Sequence, residues 1–430
     1  MSINQRQFTP YTQEAAAPPA SPPHRRRLYF AIAAILIVAI IGSGLAIVLL
    51  SPRTPAPATT QRPIVGHAFF VSSGQLSLFS DRGIADQVQI NLQNIPAPQT
   101  GKSYYAWLLP DNESNSRATP IFLGQLPVKG GQVSVFYPGD TDNTDLLASY
   151  SRFLITAEDA SEVPTNPSLV TCTWLYFAAF SQAYSSTVST STHYSLLDHL
   201  RHLLARDPSL EKVKLGGGLD TWLFRNMEKI LEWAGSARDT QQSCQSTPGN
   251  PQCAAFIQRQ ATRILDYLDG PYIAQENVPP AIQGSHLLVD PTIAQVAMLE
   301  FSAQQNPPGY LKHIGNHLRN MVEVPNLSPA QHALALRITT ATNNVQKWLN
   351  AIHADAVRII HMSAADLVQP GTTSLLDDLF TQANYAFVGR TDPNTNQVEE
   401  GVVQIHYSVQ NLATFDITAC SAGNATRACV

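Results

Sequence analysis

The stretch ADQVQINLQNIPAPQTGKSYYAWLL, Ala85–Leu109, sets the reading of the fold. Val88, Ile90 and Leu92 alternate with Gln89, Asn91 and Gln93, the period of a strand with one face buried. Pro96, Pro98 and Gly101 then turn the chain, because proline pre-sets φ and glycine admits the left-handed region. YYAWLL (104–109) follows as a second, aromatic-rich strand. The rhythm continues on both sides, with AFFV (68–71) and LSLF (76–79) before it. PIFLGQL (120–126), QVSVFY (132–137), SRFLITA (151–157) and TWLYFAAF (173–180) come after, punctuated by Gly130-Gly131 and Pro138-Gly139. Short strands at this spacing predict an antiparallel β-sandwich over 66–184, with Trp107 in its core.

Downstream, Ser185–Thr192 is rich in serine and threonine, and beyond it the apolar period changes to 3.6. Leu196, Leu197, Leu200, Leu203 and Leu204 share one helical face; Leu219, Trp222, Leu223, Met227, Ile230, Leu231 and Ala234 share another. Further helices are expected at 252–268, 290–304 and 309–322. The longest starts at Ser328-Pro329, a good N-cap followed by a proline suited to the first turn. Along it Ile338, Val345, Ile352 and Ile359 recur every seventh position, joined by Ala341 and Trp348, which is a bundle seam. Residues 193–383 therefore read as a helical bundle. Residues 384–430 read as a β-hairpin and tail: Tyr385–Arg390 and Gln397–Gln410 flank a TDPNTN turn, with a further short strand through Ala413–Thr418.

Upstream, Ser51–Val65 begins with SPRTPAPATTQRP, a Pro/Thr-rich spacer. Before it, LYFAIAAILIVAIIGSGLAIVLL (28–50) is uncharged and long enough to cross a hydrocarbon core as a helix. Arg25, Arg26 and Arg27 precede it and a lone Arg53 follows, so the positive-inside rule keeps Met1–Arg27 in the cytoplasm as a disordered arm. Everything after residue 50 is then expected outside the cell membrane. The fold class expected is α+β multidomain: a single transmembrane helix, an antiparallel β-sandwich, then an α-helical bundle with a C-terminal β-hairpin.

Charged residues make up 14% of the chain, well under the usual quarter, and the net charge is -5 with no basic stripe, which argues against a nucleic-acid partner. All five cysteines follow the apolar run, in a compartment where disulfides persist. Cys244 and Cys253 flank QSTPGNPQ, and Cys420 and Cys429 bracket a short polar stretch, so each pair is a candidate disulfide. Cys172 is left over and is an alternative partner for Cys420 or Cys429.

The segment Ala85–Ser168 resembles the extracytoplasmic C-terminal domain of anti-sigma-K-type factors. ADQVQINLQNIPAPQTGKSYYAWLL resembles that family's strand, Pro-rich turn and Tyr-x-x-Trp-Leu strand. Phe122-Leu123-Gly124, Gly130-Gly131 with VSVFYPGD, and FLITAEDASEVPTNPS follow its later elements in order. The resemblance implies a domain hung outside a single-pass anchor and a regulatory role toward a sigma factor. Here the cytosolic side is the short arm alone, without the family's HxxxCxxC pattern, so regulation is expected to run through a partner such as a cytosolic adaptor. The alternative is an adhesion or scaffold protein that binds another envelope protein.

Candidate chemistry is sparse. His199 and His202 (i, i+3) and His313 and His317 (i, i+4) have spacings that place two imidazoles on one helix face, as metal sites do. They fall on the polar flanks of their helices with no HExxH, so they are read as solvated side chains, as are His353 and His361, with a metal site as the alternative. Asp140, Asp142 and Asp145 lack the glycine and glutamate of a calcium loop and read as a turn. Gly216-Gly217-Gly218 lacks the Lys-Ser/Thr of a phosphate loop and reads as a helix-entry turn. No catalytic residue and no cofactor is assigned, and an enzyme is not expected.

Overall fold

A computed structural model describes residues 62–420 apart from 75–79, 112–117, 169–172, 185–193, 246–249, 280–281, 283–287 and 303. The expected arm, transmembrane run and most of the spacer, the LSLF strand, Cys172 and Cys429 lie outside the described residues. Among the described residues no helix is long and apolar enough to cross a membrane.

The strands are β1 (Ile64–Val71), β2 (Gln87–Leu92), β3 (Lys102–Pro110), β4 (Ile121–Gln125), β5 (Val133–Tyr137), β6 (Tyr150–Asp159), β7 (Trp174–Ala179) and, at the far end of the chain, β10 (Thr414–Ala419). They form one eight-stranded sheet in the order β4-β3-β6-β7-β10-β1-β2-β5, antiparallel at every junction and curled into a nearly closed barrel. This replaces the expected pair of packed sheets. Strand spacing gives the number of strands and their direction, but not which edge each one joins. Val88, Ile90 and Leu92 face the core as their alternation requires.

Strand β3 is buried on both faces. Tyr104, Ala106 and Leu108 join the main core, while Tyr105, Trp107 and Leu109 pack with Leu154, Phe122, Trp174 and Phe177 in a smaller cluster. There the Trp107 Nε1–H donates to Thr156 Oγ1 at 3.0 Å.

The helical region lies between β7 and β10. Its helices are α1 (Leu196–Leu204), α2 (Pro208–Lys212), α3 (Leu219–Cys244), α4 (Pro251–Asn277), α5 (Tyr310–Met321), α6 (Pro329–His361), α7 (Ala364–Leu367), α8 (Thr373–Val388) and α9 (Val402–Leu412). Ser328 caps α6 in a capping box with Gln331, and Pro329 occupies its first turn. Its heptad residues Ile338, Val345, Ile352 and Ile359 are fully buried. Because β10 returns to the middle of the sheet, sheet and helices share one hydrophobic core that runs from Ala68 and Phe415 to Trp222 and Ile352.

Two expected elements differ. Residues 397–410 are not a long strand: the hairpin is two residues deep, β8 (Arg390–Thr391) against β9 (Val398–Glu399), and α9 follows. Both periods fit this sequence, and packing selects the helical one, since Val402, Ile405, Val409 and Leu412 are buried while Tyr407 is exposed. Tyr385 likewise lies in α8 and not in a strand.

The helix expected at 290–304 shrinks to a 3₁₀ turn at Ile293–Gln295. Gly270 (φ 73°) interrupts α4, and Pro271 has no N–H for the Tyr267 carbonyl. The extended segment supplies the missing donors: Met298 N–H to Tyr267 at 2.9 Å and Leu299 N–H to Leu268 at 3.1 Å.

A disulfide joins Cys244, at the end of α3, to Cys253, in the first turn of α4. Cys420 is also disulfide-bonded.

Candidate metal centre

Three short elements build the site. Helix α1 is fixed at its start by Ser195, whose side chain accepts the Asp198 N–H in a capping box. Its leucine stripe faces the core, and His199 and His202 flank that stripe. Asp207 caps α2: its Oδ1 accepts the Ser209 N–H at 2.8 Å, the Ser209 hydroxyl, and the Leu210 N–H at 3.4 Å. Helix α5 brings His313 and His317, one turn apart, to the same place. The helical packing thus covers the flanks that an isolated wheel leaves wet. His199, His202, His317 and Asp207 are 2%, 9%, 4% and 2% exposed, and His313 is half-buried. The reading of these histidines as solvated is therefore overturned.

Asp207 Oδ2 is the centre of the group. His202 Nδ1 stands 3.9 Å from it, and the Nε2 atoms of His313 and His317 each stand 3.8 Å away. These separations are too long for hydrogen bonds. They suit donors that share one ion: bonds of about 2.0–2.1 Å in a tetrahedron put neighbouring ligands ~3.4 Å apart. The donor atoms of His202, Asp207 and His317 all lie within 4.8 Å of one another.

Around this set, His199 Nδ1 and His317 Nδ1 are 2.9 Å apart, so one proton is shared between two nitrogens. If it sits on His317 Nδ1, the His317 Nε2 lone pair is directed at the centre. That is the arrangement by which an outer partner fixes a ligand's tautomer. The Tyr194 ring packs edge-on to His202, centroids 4.6 Å apart. His202 Nδ1, His313 Nδ1, Glu300 Oε2 and the Tyr310 hydroxyl are buried polar atoms without a hydrogen-bond partner.

Burial, with His202 adding, pushes His199 down to about 4. Burial also lowers His202 and His313 against the pull of Asp207. It holds His317 well below the ordinary value, aided by its three histidine neighbours. The four imidazoles are thus neutral near pH 7, the form that ligates metal.

The other histidines are placed differently. His353 Nε2 pairs with Asp269 Oδ1 at 3.1 Å, and His406 Nδ1 with Asp220 Oδ2 at 2.5 Å. Asp140 Oδ1 accepts the N–H groups of Asp142 and Thr144 in a turn. At Gly218 a Cβ would lie 2.3 Å from the Leu203 carbonyl oxygen, so that glycine serves close packing at the start of α3.

Sequence reading named the four histidines but missed Asp207, whose signal is the N-cap pattern Asp207-Pro208-Ser209. Tyr194, Glu300 and Tyr310 carried no signal of their own.

Compared with protein-family models, curated proteins and solved structures, the chain gives no match.

Proposed function

We propose that this protein is a membrane-tethered, extracytoplasmic metal-binding protein. It takes one divalent transition-metal ion of the zinc class on His202 Nδ1, Asp207 Oδ2 and His317 Nε2. The observation that carries this reading is the set of imidazole nitrogens held 3.8–3.9 Å from one buried carboxylate oxygen. Imidazole nitrogen with a single carboxylate suits zinc better than the all-oxygen sites of calcium or magnesium. The Cys244–Cys253 disulfide supports the extracytoplasmic location. The test is metal analysis of the full-length protein after exposure to zinc and removal of loosely held ions. One equivalent per chain is expected, and retention no greater than in an Asp207→Ala control would overturn the reading.

The metal-bearing outer region acts in sensing or regulation, in keeping with the resemblance of Ala85–Ser168 to a regulatory domain. That segment includes the strands β2 to β6. Capture of a sigma factor, or of an adaptor that binds one, on the full-length protein from membranes would support the regulatory role. Capture of an envelope protein alone would favour the scaffold role.

A further inference from the structure

We infer that His313 is the fourth ligand, closing a tetrahedral, all-protein site whose ion is a structural staple and not a catalytic centre. This rests on the metal-binding reading above and adds to it what the ion does.

The argument begins with Asp207. Its Oδ1 is committed to the N-terminus of α2 through the Ser209 and Leu210 N–H groups and the Ser209 hydroxyl. Oδ2 alone remains for a metal, so the carboxylate contributes one bond. On α5, His313 and His317 are spaced i, i+4 with rings stacked at a centroid distance of 5.0 Å and 28° between planes. Both present Nε2 to the same Asp207 oxygen at the same 3.8 Å. Two histidines one turn apart form the usual helical metal clamp. With His202 Nδ1 at 3.9 Å, three nitrogens and one oxygen are available. The donors of His202, Asp207 and His317 lie within 4.8 Å of one another, and His313 Nε2, outside that set, has to swing inward to complete the tetrahedron.

Four protein donors satisfy zinc in a structural site, whereas a catalytic site keeps one position for water or substrate. The donors also come from parts of the chain far apart in sequence: His202 and Asp207 before α3, His313 and His317 after α4. An ion bound by all four ties α1 and α2 to α5, and its occupancy governs how firmly those elements hold together. Such coupling of metal binding to folded structure is general.

The test uses the full-length protein, stripped by a chelator and reloaded with Co²⁺ alone. One equivalent of Co²⁺ with the intense visible bands of tetrahedral coordination is expected, together with a raised unfolding temperature. His313→Ala should weaken Co²⁺ binding by at least about 100-fold, beyond the 10–100-fold typical of losing an outer partner, and should weaken the bands. His313→Cys should give a thiolate-to-cobalt charge-transfer band, which arises only if side chain 313 touches the ion. The inference is overturned if His313→Ala binds Co²⁺ with unchanged affinity and spectrum. It is also overturned if Co²⁺ bound to His313→Cys shows no such band, the deciding result should the alanine variant not fold. In either case the metal-binding reading survives. No Co²⁺ on the unaltered protein removes that reading, and this inference with it.

Discussion

Two buried aspartates in the helical region meet histidine in opposite ways. At Asp220, in the first turn of α3, a single imidazole closes to 2.5 Å: His406 Nδ1 donates to Oδ2. At Asp207, three imidazole nitrogens surround one oxygen and none approaches nearer than 3.8 Å. In the pair, burial works to lower the His406 pKa, yet the Asp220 charge and hydrogen bond outweigh it and the pKa rises. In the cluster, burial and like neighbours win and the imidazoles are pushed down. The protonated His406 imidazole balances the charge of the first carboxylate. The second stands among neutral donors spaced for a metal ion, and that contrast separates a structural ion pair from a candidate metal centre.

The largest effect should come from Asp207→Ala, which removes the central donor and the α2 cap together. Zinc retention should fall to background by metal analysis, with a further stability loss of ~1 kcal/mol from the cap. Asp220→Asn should leave zinc content unchanged; equal zinc loss in both variants would erase the distinction between the sites. Next, His406→Leu strands Asp220 as a buried charge without its partner and should cost about 3–5 kcal/mol in denaturant unfolding, again with zinc binding intact.

The two sites should also respond to pH with opposite sign in metal-stripped protein. The His406 pKa is raised in the folded state, so its contribution is full below the unfolded value of about 6.5 and fades as pH rises through the folded value. The cluster histidines are depressed, so their contribution is intact above about 6.5 and is lost as pH falls. His199, pushed down to about 4, accounts for roughly 3 kcal/mol of that acid loss. Unfolding free energies from pH 4 to 8, with His406→Gln to isolate the pair, measure both slopes.

The smallest effect is expected at His199→Leu, which removes the hydrogen-bond partner of His317 and leaves the proposed ligands in place. Zinc affinity should drop by about 10–100-fold, as for other outer partners. A loss as complete as that of Asp207→Ala would instead make His199 a ligand.

Much of the fold was legible because local patterns and tertiary packing agree. The alternation at Val88, Ile90 and Leu92 needs one covered face, and the sheet supplies it. The seven-residue stripe on α6 and the Ser328-Pro329 start are local facts that packing did not alter. Where two patterns fitted one stretch, local reasoning failed. Val403, Ile405, Tyr407 and Val409 alternate like a strand, yet Val402, Ile405, Val409 and Leu412 also form a helical stripe, and only neighbouring helices could choose.

The sequence by itself determined the apolar run at 28–50, the strand-rich first part and helical second part of the chain beyond residue 62, and the Cys244–Cys253 pair, because each follows from residues close along the chain. Tertiary structure alone decided that Thr414–Ala419 enters the sheet between β7 and β1, since strand order depends on edges made by distant segments. It also decided the fate of the histidines. A helical wheel puts His199, His202, His313 and His317 on polar flanks, but docking α1 against α5 removes those flanks from water and sets Asp207 between them. Burial and the distance between donors belong to that docking, and the chemistry of the site depends on both.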